Sequence, residues 1–552
     1  MSAKLKNAIG ESKATATLLL DDPSQAGPAQ VASYSGAAAG MPVTPWIRLE
    51  AAAAYIERYP LFIVAILSAL YVYRIGKPIQ KVFWFDELFT YYIAQSPGFS
   101  QFFDAVRHVD LNPPMIYALA RLSQNAFGAT EFATRLPSAL SFFFGSLGLF
   151  YYLKSRIGAL WSSAAVLLFW YTPFFRYATE ARPYGLLLGF FALALVAYDA
   201  AILADPGRPR VAVAGIAVGI GGMMLSHVLA PVSILPFCLA ELFRSVTTRR
   251  LDWAVWGCLL LPLLAAPACL PLILQVQRIY YPPAFQASLG KMLLFYRDAG
   301  LLYVFPGLPI AAALAMLASH FINKAGQASS RAVRSRYTGS YPDLAMAAAL
   351  AIGPVLVNLA FMRTHSAFWE RYCLTSALAI CALEVVALAV LAHFSRGAAL
   401  VAACVLFASI LTSERAVSKN EIPVARLEQI RPELPFVAAS GLTFLELDHY
   451  EKAGFLSRVY YLVDRPSAIK YAHATLMEGM LTLPRYFPIR SHVSTWTEFA
   501  SRHRHFLVFG EIDYPEDWLL RKLIQEGATV TLLQTVKTQY KDSSIYEVIL
   551  RP

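Results

Sequence analysis

The sequence is poor in charged residues, and this scarcity limits the class of protein. Only 15% of the 552 residues are charged, whereas 57% are hydrophobic and the mean hydropathy is +0.49. A soluble domain has roughly 25% charged residues. The composition excludes an ordinary soluble enzyme, a coiled coil and a disordered chain, and it indicates an α-helical polytopic membrane protein.

Cysteine is also scarce, and its spacing argues against a zinc site. All six cysteines fall in apolar stretches, and none shows the spacing of zinc ligands. We therefore expect small buried hydrophobic side chains rather than metal ligands. The C-terminal region has no cysteine, so it needs no disulfide bonds. The six residues are Cys238, Cys258, Cys269, Cys373, Cys381 and Cys404.

Long apolar runs begin at Tyr59 and alternate with short polar joints. Residues 1–45, rich in Ala, Ser, Gly and Pro, are expected to form a disordered cytoplasmic tail rather than a cleaved signal peptide. Each run is close to the ~20 residues that cross a bilayer, so we predict about eleven transmembrane helices within a domain over 55–415. The predicted spans are 59–77, 136–153, 159–175, 184–204, 211–226, 228–243, 253–274, 300–320, 343–362, 372–393 and 397–413.

The net charge is +11, and the basic residues concentrate in the joints on one side of the membrane. They do not form a basic stripe of the kind that binds nucleic acid, so no nucleic-acid partner is expected. If the N-terminal tail is cytoplasmic, every joint on its side is short and basic. The opposite side receives the long loop 78–135, most of the acidic loop residues and the C-terminal tail. The basic joints contain Lys154 and Arg156; Arg208 and Arg210; Arg244, Arg249 and Arg250; Lys324, Arg331, Arg334 and Arg336; and Arg396.

The tail has the pattern of a small α/β domain over 425–552. Apolar runs of strand length occur at 436–440, 459–463 and 506–509. Helical spacing from Trp518 to Glu526 stops at Gly527, and a strand over 529–533 follows at once. No glycine fingerprint for a dinucleotide is present. The topology places this domain outside the cytoplasm.

Two adjacent carboxylates, Asp86 and Glu87, follow the first predicted span in the segment Phe-Trp-Phe-Asp-Glu-Leu-Phe. A charge near the bilayer edge costs free energy, so it is retained where it pairs with an opposite charge or takes part in function. The simpler interpretation is an exposed pair of loop acids. The flanking aromatic residues instead favour a position against the membrane surface and a functional role.

Further polar residues lie at the ends of other spans on the same predicted membrane side. Arg135 and Arg182 could be interfacial cations, Glu180 could pair with Arg182 structurally, and His227 could be a satisfied polar residue at a helix junction. Together, however, carboxylates can accept a proton from a hydroxyl, and arginines can stabilise a phosphate leaving group. The candidate residues are Asp86, Glu87, His108, Asn112, Arg135, Glu180, Arg182, Tyr184, His227 and Arg371.

The order of these motifs resembles that of the GT-C glycosyltransferases. Asp-Glu, His…Asn-Pro-Pro, Arg-Leu-Pro-Ser-Ala, Glu-Ala-Arg-Pro-Tyr and Glu-Arg-Tyr occur in this order over roughly 55–415. The resemblance is to glycosyltransferase family 39, namely the bacterial relatives of protein O-mannosyltransferases and the lipid A aminoarabinose transferase. The thiol of Cys373 departs from the aliphatic residue expected after Arg-Tyr. The tail also differs from the β-trefoil module of the eukaryotic enzymes.

The resemblance implies a polyprenyl-phosphate sugar donor, a lipid- or glycan-linked acceptor and an active site on the periplasmic side of the inner membrane. Asp86 would be the general base, and Glu87 would orient the acceptor or share the proton. Arg135 would contact the donor phosphate, with Arg182 and Arg371 as further candidates. Glu180 would be a second acid near the site. His108, Asn112, Tyr184 and His227 are candidates for substrate binding.

We predict a single displacement with inversion, because no carboxylate is identified as the nucleophile that a retaining enzyme needs. No cofactor is required by this mechanism. A divalent metal is possible but not expected, because adjacent Asp and Glu residues are poorly suited to hold one unaided. The sequence does not specify the sugar, the acceptor or the polyprenyl length.

Two other classes remain open at the level of sequence. A secondary transporter would use Glu180 or His227 as a proton relay, but it would place ionisable groups near the bilayer midplane and often contain internal repeats. A non-catalytic cell-envelope scaffold would use the α/β tail for binding, but it would not require adjacent acids after the first span.

Overall fold

The computed structural model describes residues 45–110, 112–203, 209–269, 274, 279–300, 341–413, 427–475, 478–537 and 542–551. The chain divides into two units, residues 1–52 and 53–552, and the second contains the helical bundle and the C-terminal sheet. Apart from its last residue, the predicted tail 1–45 lies outside the described residues. The predicted span 300–320 also lies outside them, except for its first residue.

The first part of the chain is helical, because long runs of apolar residues satisfy their backbone groups within helices. In the described parts of the chain, the α-helices up to residue 413 are α1 (Pro45–Glu57), α2 (Pro60–Ile75), α3 (Phe85–Ala94), α4 (Phe99–His108), α5 (Met115–Phe127), α6 (Glu131–Ile157), α7 (Ala159–Tyr171), α8 (Tyr184–Leu203), α9 (Arg210–Ser226), α10 (Ala230–Thr248), α11 (Trp253–Leu260), α12 (Leu289–Asp298), α13 (Tyr341–Arg363), α14 (Leu374–Leu391) and α15 (Arg396–Thr412).

Short 3₁₀ segments join or extend several of these helices, at Pro78–Gln80, Pro173–Thr179, Leu261–Cys269 and Glu370–Cys373. Six helical segments of the described chain are long and apolar enough to cross a membrane: Pro60–Gln80, Glu131–Ile157, Tyr184–Leu203, Ala230–Thr248, Pro342–Arg363 and Glu370–Leu391. Shorter apolar helices cover Ala159–Tyr171, Arg210–Ser226, Trp253–Ala265 and Arg396–Thr412. Ten of the eleven predicted spans therefore coincide with apolar helices, and the fold is that of a multi-pass membrane protein.

Helices α6 and α8 approach closely, and this contact positions the beginning of α8. A Cβ atom at Gly185 would collide with the backbone carbonyl oxygen of Ser138, so only glycine fits here without a shift. The Ser138 hydroxyl donates a hydrogen bond of 2.8 Å to the carbonyl oxygen of Arg182. Together these contacts fix the Arg182 segment beside the beginning of α6, where Arg135 lies.

The loop between α2 and α6 is mostly helical rather than extended. Helix α5 begins directly after Pro113 and Pro114, and Pro114 is its N-cap residue. Asp86 and Glu87 occupy the first turn of α3, where the helix dipole favours acidic residues. The Glu87 carboxylate also accepts a hydrogen bond of 3.2 Å from the Trp84 amide, which closes the N-terminus of α3.

The C-terminal region contains a six-stranded sheet in the order β3-β2-β1-β4-β6-β5, which confirms the predicted small sheet domain. Strands β1 to β4 are mutually parallel where they pair, whereas β6 is antiparallel to β4 and β5. The strands and helices are β1 (Phe436–Ala438), α16 (Gly441–Tyr450), α17 (Ala453–Leu456), β2 (Val459–Val463), α18 (Arg465–Ser467), β3 (His492–Thr495), α19 (Trp496–Arg502), β4 (His505–Gly510), α20 (Trp518–Gln525), β5 (Thr529–Lys537) and β6 (Asp542–Ile549). A π-helical turn covers Ala468–Ala472, and 3₁₀ turns cover Glu478–Leu481 and Leu483–Arg485.

This domain contacts the loop helices through α16. The Tyr450 hydroxyl accepts a hydrogen bond of 2.6 Å from the Phe83 amide and donates one of 2.9 Å to Glu131. The Tyr92 hydroxyl lies 2.7 Å from His449 Nδ1. The sheet domain therefore lies at the end of the helical bundle where α3 and the beginning of α6 are found.

Candidate active site

Glu87 and Arg135 form a fully buried ion pair. The side chains are both 0% exposed, and the guanidinium donates from Nε and Nη2 to the two carboxylate oxygens at 2.7 and 2.6 Å. The amide of Ala181 also donates to Glu87 at 2.7 Å. Burial by itself raises the pKa of Glu87, but the charge and hydrogen bonds of Arg135 hold that pKa below its ordinary value.

The other donors of Arg135 hold the segment between α2 and α3. Nη1 donates to the carbonyl oxygens of Ile79 and Lys81, and Nη2 donates to that of Val82. With its two bonds to Glu87, all five N–H groups of Arg135 have protein partners. This geometry gives Arg135 a positioning role, and it differs from the predicted contact with a donor phosphate.

Asp86 is adjacent in sequence to Glu87 but is held differently. Its Oδ2 atom lies 3.5 Å from Arg371 Nη1, which is too long for a strong hydrogen bond. The two side chains are 22% and 19% exposed, so both retain access to solvent. Asp86 and Arg371 therefore form an open pair beside the closed pair of Glu87 and Arg135.

Arg371 is surrounded by aromatic rings. Its Cζ atom lies 5.4 Å from the ring centre of Trp369, 5.5 Å from that of Tyr184 and 5.9 Å from that of Trp84. Such rings stabilise a cation without using its N–H groups. Arg371 Nε is buried and has no hydrogen-bond partner among the described residues. The guanidinium is thus held in place but not saturated.

The 3₁₀ segment that carries Arg371 is anchored by its neighbour in sequence. Glu370 forms an ion pair with Arg176 and accepts a hydrogen bond of 2.9 Å from the Tyr177 hydroxyl. These contacts connect the segments Glu370–Cys373 and Pro173–Thr179. They fix the backbone from which Arg371 extends.

Arg182 is a third arginine of the site, and it pairs with Asp110. Arg182 Nη1 donates to Asp110 Oδ2 at 2.6 Å and to the carbonyl oxygen of Asp86 at 2.9 Å. Asp110 also accepts hydrogen bonds from Tyr117 at 2.7 Å and from Asn112 at 3.2 Å. Arg182 Nε is buried without a partner in the described part of the chain.

Asp110 was not among the candidate site residues, although it stands in the His…Asn-Pro-Pro motif. The sequence signal that could have identified it is the presence of an acidic residue two positions before Asn112. Asn112 was predicted to bind substrate, and the structure shows it orienting the Asp110 carboxylate. Asp110 in turn holds Arg182 against the backbone of Asp86.

Glu180 is a buried acid beside both pairs. Its Oε2 atom is buried and has no hydrogen-bond partner in the described residues. Burial raises its pKa to about 7; the charge of Glu87 also raises this pKa, and Lys81, Arg176 and Arg371 lower it. Glu180 therefore changes its protonation near neutral pH, unlike an ordinary glutamate.

Tyr184 and His227 contact this group from the helix ends. The Tyr184 ring centre lies 5.5 Å from the His227 ring, which lies 5.9 Å from that of Tyr372. His227 Nδ1 accepts a hydrogen bond of 3.0 Å from the Leu229 amide and so closes the turn between α9 and α10. Burial, followed by the charges of Arg182 and Arg371, lowers the pKa of His227 to about 3, so the ring is neutral.

His108 lies apart from the other candidates. Its side chain is 54% exposed on α4, pairs with Asp104 at 3.1 Å and stacks on Tyr486 of the C-terminal domain. The structure therefore brings together the other nine candidate residues and leaves His108 outside the group.

Several buried polar atoms without a partner converge on Asp86 and Arg371. A folded protein satisfies nearly all such atoms, so a cluster of them indicates the place of a ligand. Within the described residues, no group of three or more His, Cys, Asp or Glu side chains is arranged to hold a metal ion. The unpaired atoms around the pair are Trp84 Nε1, Glu180 Oε2, Arg182 Nε and Arg371 Nε.

Comparisons with known proteins agree with this architecture. Residues 111–274 match the family model described as dolichyl-phosphate-mannose-protein mannosyltransferase. The solved structure of ArnT from Cupriavidus metallidurans in the apo state is similar, with 14% sequence identity and a TM-score of 0.51. The alignment covers 90% of this chain and 98% of that one.

A second structure of the same ArnT, bound to undecaprenyl phosphate, matches with 14% identity and a TM-score of 0.49, covering 88% of this chain and 97% of that one. No curated protein matches the sequence. The helical bundle and its polar end define a multi-pass membrane protein with the GT-C fold. The family match marks similarity to these mannosyltransferases over residues 111–274, and the likeness to the apo ArnT structure shows a shared fold.

Proposed function

We propose that the chain transfers a sugar from a polyprenyl-phosphate donor to an acceptor hydroxyl, with inversion at the anomeric carbon. In this proposal Asp86 is the general base and Arg371 binds the donor phosphate. The acceptor is a lipid- or glycan-linked hydroxyl outside the cytoplasm. The description of the matching family model, which names a polyprenyl-phosphate sugar as donor, supports this class of donor.

The observation that carries the proposal is the unequal pairing of the adjacent acids. Glu87 is saturated by Arg135 and two backbone amides, so it is not available to a substrate. Asp86 has a long contact with Arg371 and keeps solvent access. A general base must reach the proton that it removes, and only Asp86 of the two meets this condition.

The reaction follows from competition for Arg371. The donor phosphate carries oxygens that bind a guanidinium more strongly than a carboxylate 3.5 Å away. Binding of the phosphate would therefore release the Asp86 carboxylate from its cation. Asp86 would then take the proton of the acceptor hydroxyl while the hydroxyl oxygen attacks the anomeric carbon. The bond from that carbon to the phosphate oxygen breaks, and polyprenyl phosphate leaves with the electron pair.

The neighbouring residues would support this centre in different ways. Arg182, with one free buried N–H and its anchor on Asp110, would add positive charge near the phosphate. Glu180 would hold or share a proton near neutral pH. Arg135 and Glu87 would fix the segment before α3. We place His108 outside the site, because it is exposed and paired with Asp104.

The distribution of charge supports an extracytoplasmic site. Arg135, Tyr184 and Arg371 lie at the beginnings of α6, Tyr184–Leu203 and Glu370–Leu391, respectively. The basic residues Lys154 and Arg396 lie at or after the opposite ends of those spans. Because basic residues favour the cytoplasmic side, the site end would face the periplasm in an inner membrane. A position at helix ends also argues against a transporter, whose ionisable groups lie near the midplane.

The test is mass spectrometry of lipid-linked sugars and glycans from a deletion strain carrying either the wild-type chain or Asp86→Asn. The wild type should restore a missing glycan residue. The variant should be expressed normally, accumulate a polyprenyl-phosphate sugar and reduce transfer by on the order of 10²–10⁴-fold, as expected for loss of a general base. Normal glycans with Asp86→Asn would contradict the proposal, and an unchanged lipid and glycan profile in the deletion strain would contradict the function itself.

A further inference from the structure

The C-terminal domain contacts the membrane domain near the candidate active site. Residues at the end of helix α16 contact Phe83 and Tyr92. The turn after the π-helical segment is joined to the loop before α12, because Thr475 and Tyr280 exchange hydrogen bonds of 3.1 and 2.9 Å. In open α/β sheets the edge formed by the carboxyl ends of the parallel strands binds ligands, at the place where the strand order reverses. In this sheet the order reverses between β1 and β4.

The segment 511–517 follows β4 at that place and has a fixed shape. Arg521 donates from Nε to the carbonyl oxygen of Ile512 and from Nη2 to that of Tyr514, both at 3.0 Å. The Glu511 amide donates to Asp517 Oδ2 at 3.0 Å, and the Asp517 amide donates to the Tyr514 carbonyl oxygen at 3.1 Å. The segment is therefore a preorganised turn rather than a loose connection.

Glu516 extends from this turn and has an unsatisfied buried oxygen. Its side chain is partly buried, and its Oε2 atom has no hydrogen-bond partner among the described residues. The buried polar atoms around Asp86 and Arg371 that were named above also lack a hydrogen-bond partner among the described residues. Leaving a buried carboxyl oxygen unpaired costs free energy, so its retention indicates a partner that the protein itself does not supply.

Electrostatic interactions connect Glu516 with the reacting pair. Burial, followed by the charges of Asp86 and Asp517, raises the pKa of Glu516 to about 8. Burial also raises the pKa of Tyr281, which is influenced by both Arg371 and Glu516. Contacts join the same regions. Arg521, which holds the turn, also donates from Nη1 to the Tyr471 carbonyl oxygen at 3.1 Å, and the Phe285 ring centre lies 5.4 Å from that of Trp369, which borders Arg371. The turn that carries Glu516 and the loop that carries Tyr281 therefore lie along one run of contacts that reaches Arg371.

We propose that Glu516 is a substrate-binding residue that the C-terminal domain contributes to the membrane site, where its carboxyl group hydrogen-bonds a hydroxyl of a glycan acceptor. This inference rests on the proposed function and extends it to the acceptor. A neutral carboxyl offers one donor and one acceptor, as a hydroxyl requires. The lipid donor approaches from the bilayer, so the extramembrane domain is the part of the chain that meets an acceptor from the aqueous side.

The experiment compares Glu516→Ala with Glu516→Gln in the full-length protein expressed in the deletion strain. Glutamine keeps a neutral donor and acceptor, so it should keep transfer within about threefold of wild type, whereas alanine should reduce it roughly tenfold, the effect of one lost hydrogen bond in a buried site. The donor should accumulate with alanine. Affinity of the purified variants for undecaprenyl phosphate should not change. Asp513→Ala, an exposed acid of the same turn, should behave as wild type.

If Glu516→Ala does not fold, Glu516→Leu keeps the volume without hydrogen bonds and should show the same loss. Normal transfer with the folded alanine or leucine variant, or failure of the folded glutamine variant to restore transfer, would overturn the inference. So would an equal loss of undecaprenyl phosphate affinity, because Glu516 would then act on the donor side. In each case, loss of transfer with Asp86→Asn leaves the proposed function intact, whereas normal transfer with Asp86→Asn contradicts the function and not only the role of Glu516.

Discussion

Two arginine–carboxylate pairs stand side by side in this molecule, and they differ in burial, in distance and in the number of their hydrogen bonds. Glu87 and Arg135 are fully buried, bidentate and saturated by hydrogen bonds. Asp86 and Arg371 are about one fifth exposed, lie 3.5 Å apart and border several unpaired polar atoms. The first pair holds the backbone between α2 and α3 in place, and the second is open to a ligand.

The difference shows how adjacent residues of one motif can have separate tasks. Asp86 and Glu87 both lie in the first turn of α3, so their side chains point in different directions around the helix. Glu87 points toward the beginning of α6, where Arg135 lies, and Asp86 points toward Arg371. The saturated pair makes the open pair possible, because it fixes the turn from which Asp86 extends.

The largest expected effect comes from breaking the saturated pair. Arg135→Ala leaves Glu87 as a buried charge without its cation, which should destabilise the protein by about 3–5 kcal/mol. It also removes the donors that hold Ile79, Lys81 and Val82. We expect a large drop in the melting temperature of the detergent-solubilised protein.

The matched control is the double substitution Glu87→Leu with Arg135→Met, which removes both charges and should recover part of the lost stability. A variant Arg135→Ala that melts like the wild type but loses affinity for undecaprenyl phosphate would contradict the positioning role. It would support instead the phosphate contact that the sequence predicted.

The sequence predicted the fold well where hydrophobic periodicity is strong. Apolar runs correctly located ten helices of the membrane domain, and short apolar runs located β1, β2, β4 and β5. Strands β3 and β6 were missed. The exposed and partly exposed residues of β3, which is an edge strand, give little apolar signal, and β6 contains several polar residues. Only their pairing with other strands defines them.

The sequence also predicted which polar residues gather at one end of the bundle, but not how they divide into pairs. Nothing in the motif distinguishes Arg135 from Arg371 as a phosphate ligand, because pairing depends on side-chain directions in three dimensions. Asp110 was overlooked for the same reason, although it holds Arg182. Glu516 lies 430 residues after Asp86 in sequence, so only the packing of the C-terminal domain relates the two.

An intermediate effect is expected from the open pair. Arg371→Ala should weaken binding of undecaprenyl phosphate by roughly 10–100-fold, the loss of charged hydrogen bonds worth about 1.5–3 kcal/mol. Arg371→Lys should retain part of the affinity, because it keeps the charge but not the bidentate geometry. Binding can be measured by the intrinsic fluorescence of the purified protein or by thermal shift.

The control for this measurement is Arg363→Ala, which removes an exposed arginine at the end of α13. It should leave affinity unchanged. If both substitutions weakened phosphate binding equally, the arginines would act only through overall charge. The open geometry of the Asp86–Arg371 pair would then not explain binding.

The smallest expected effect concerns Glu180. Its pKa is raised to about 7, so between pH 4.5 and 7 the folded protein holds a proton that the unfolded chain has released. The contribution of Glu180 to stability therefore falls as pH rises through this window. Glu180→Gln removes this dependence. The melting-temperature difference, variant minus wild type, should become more positive from pH 5 to pH 8, and a constant difference would contradict the assignment.

An experimental structure of the full chain with undecaprenyl phosphate would decide whether Asp86 and Arg371 form the reacting pair while Glu87 and Arg135 support them. We expect phosphate oxygens within hydrogen-bond distance of the Arg371 guanidinium, with Asp86 released from it and the Glu87–Arg135 pair unchanged. A phosphate bound to Arg135, with Glu87 displaced and Arg371 still paired with Asp86, would contradict it.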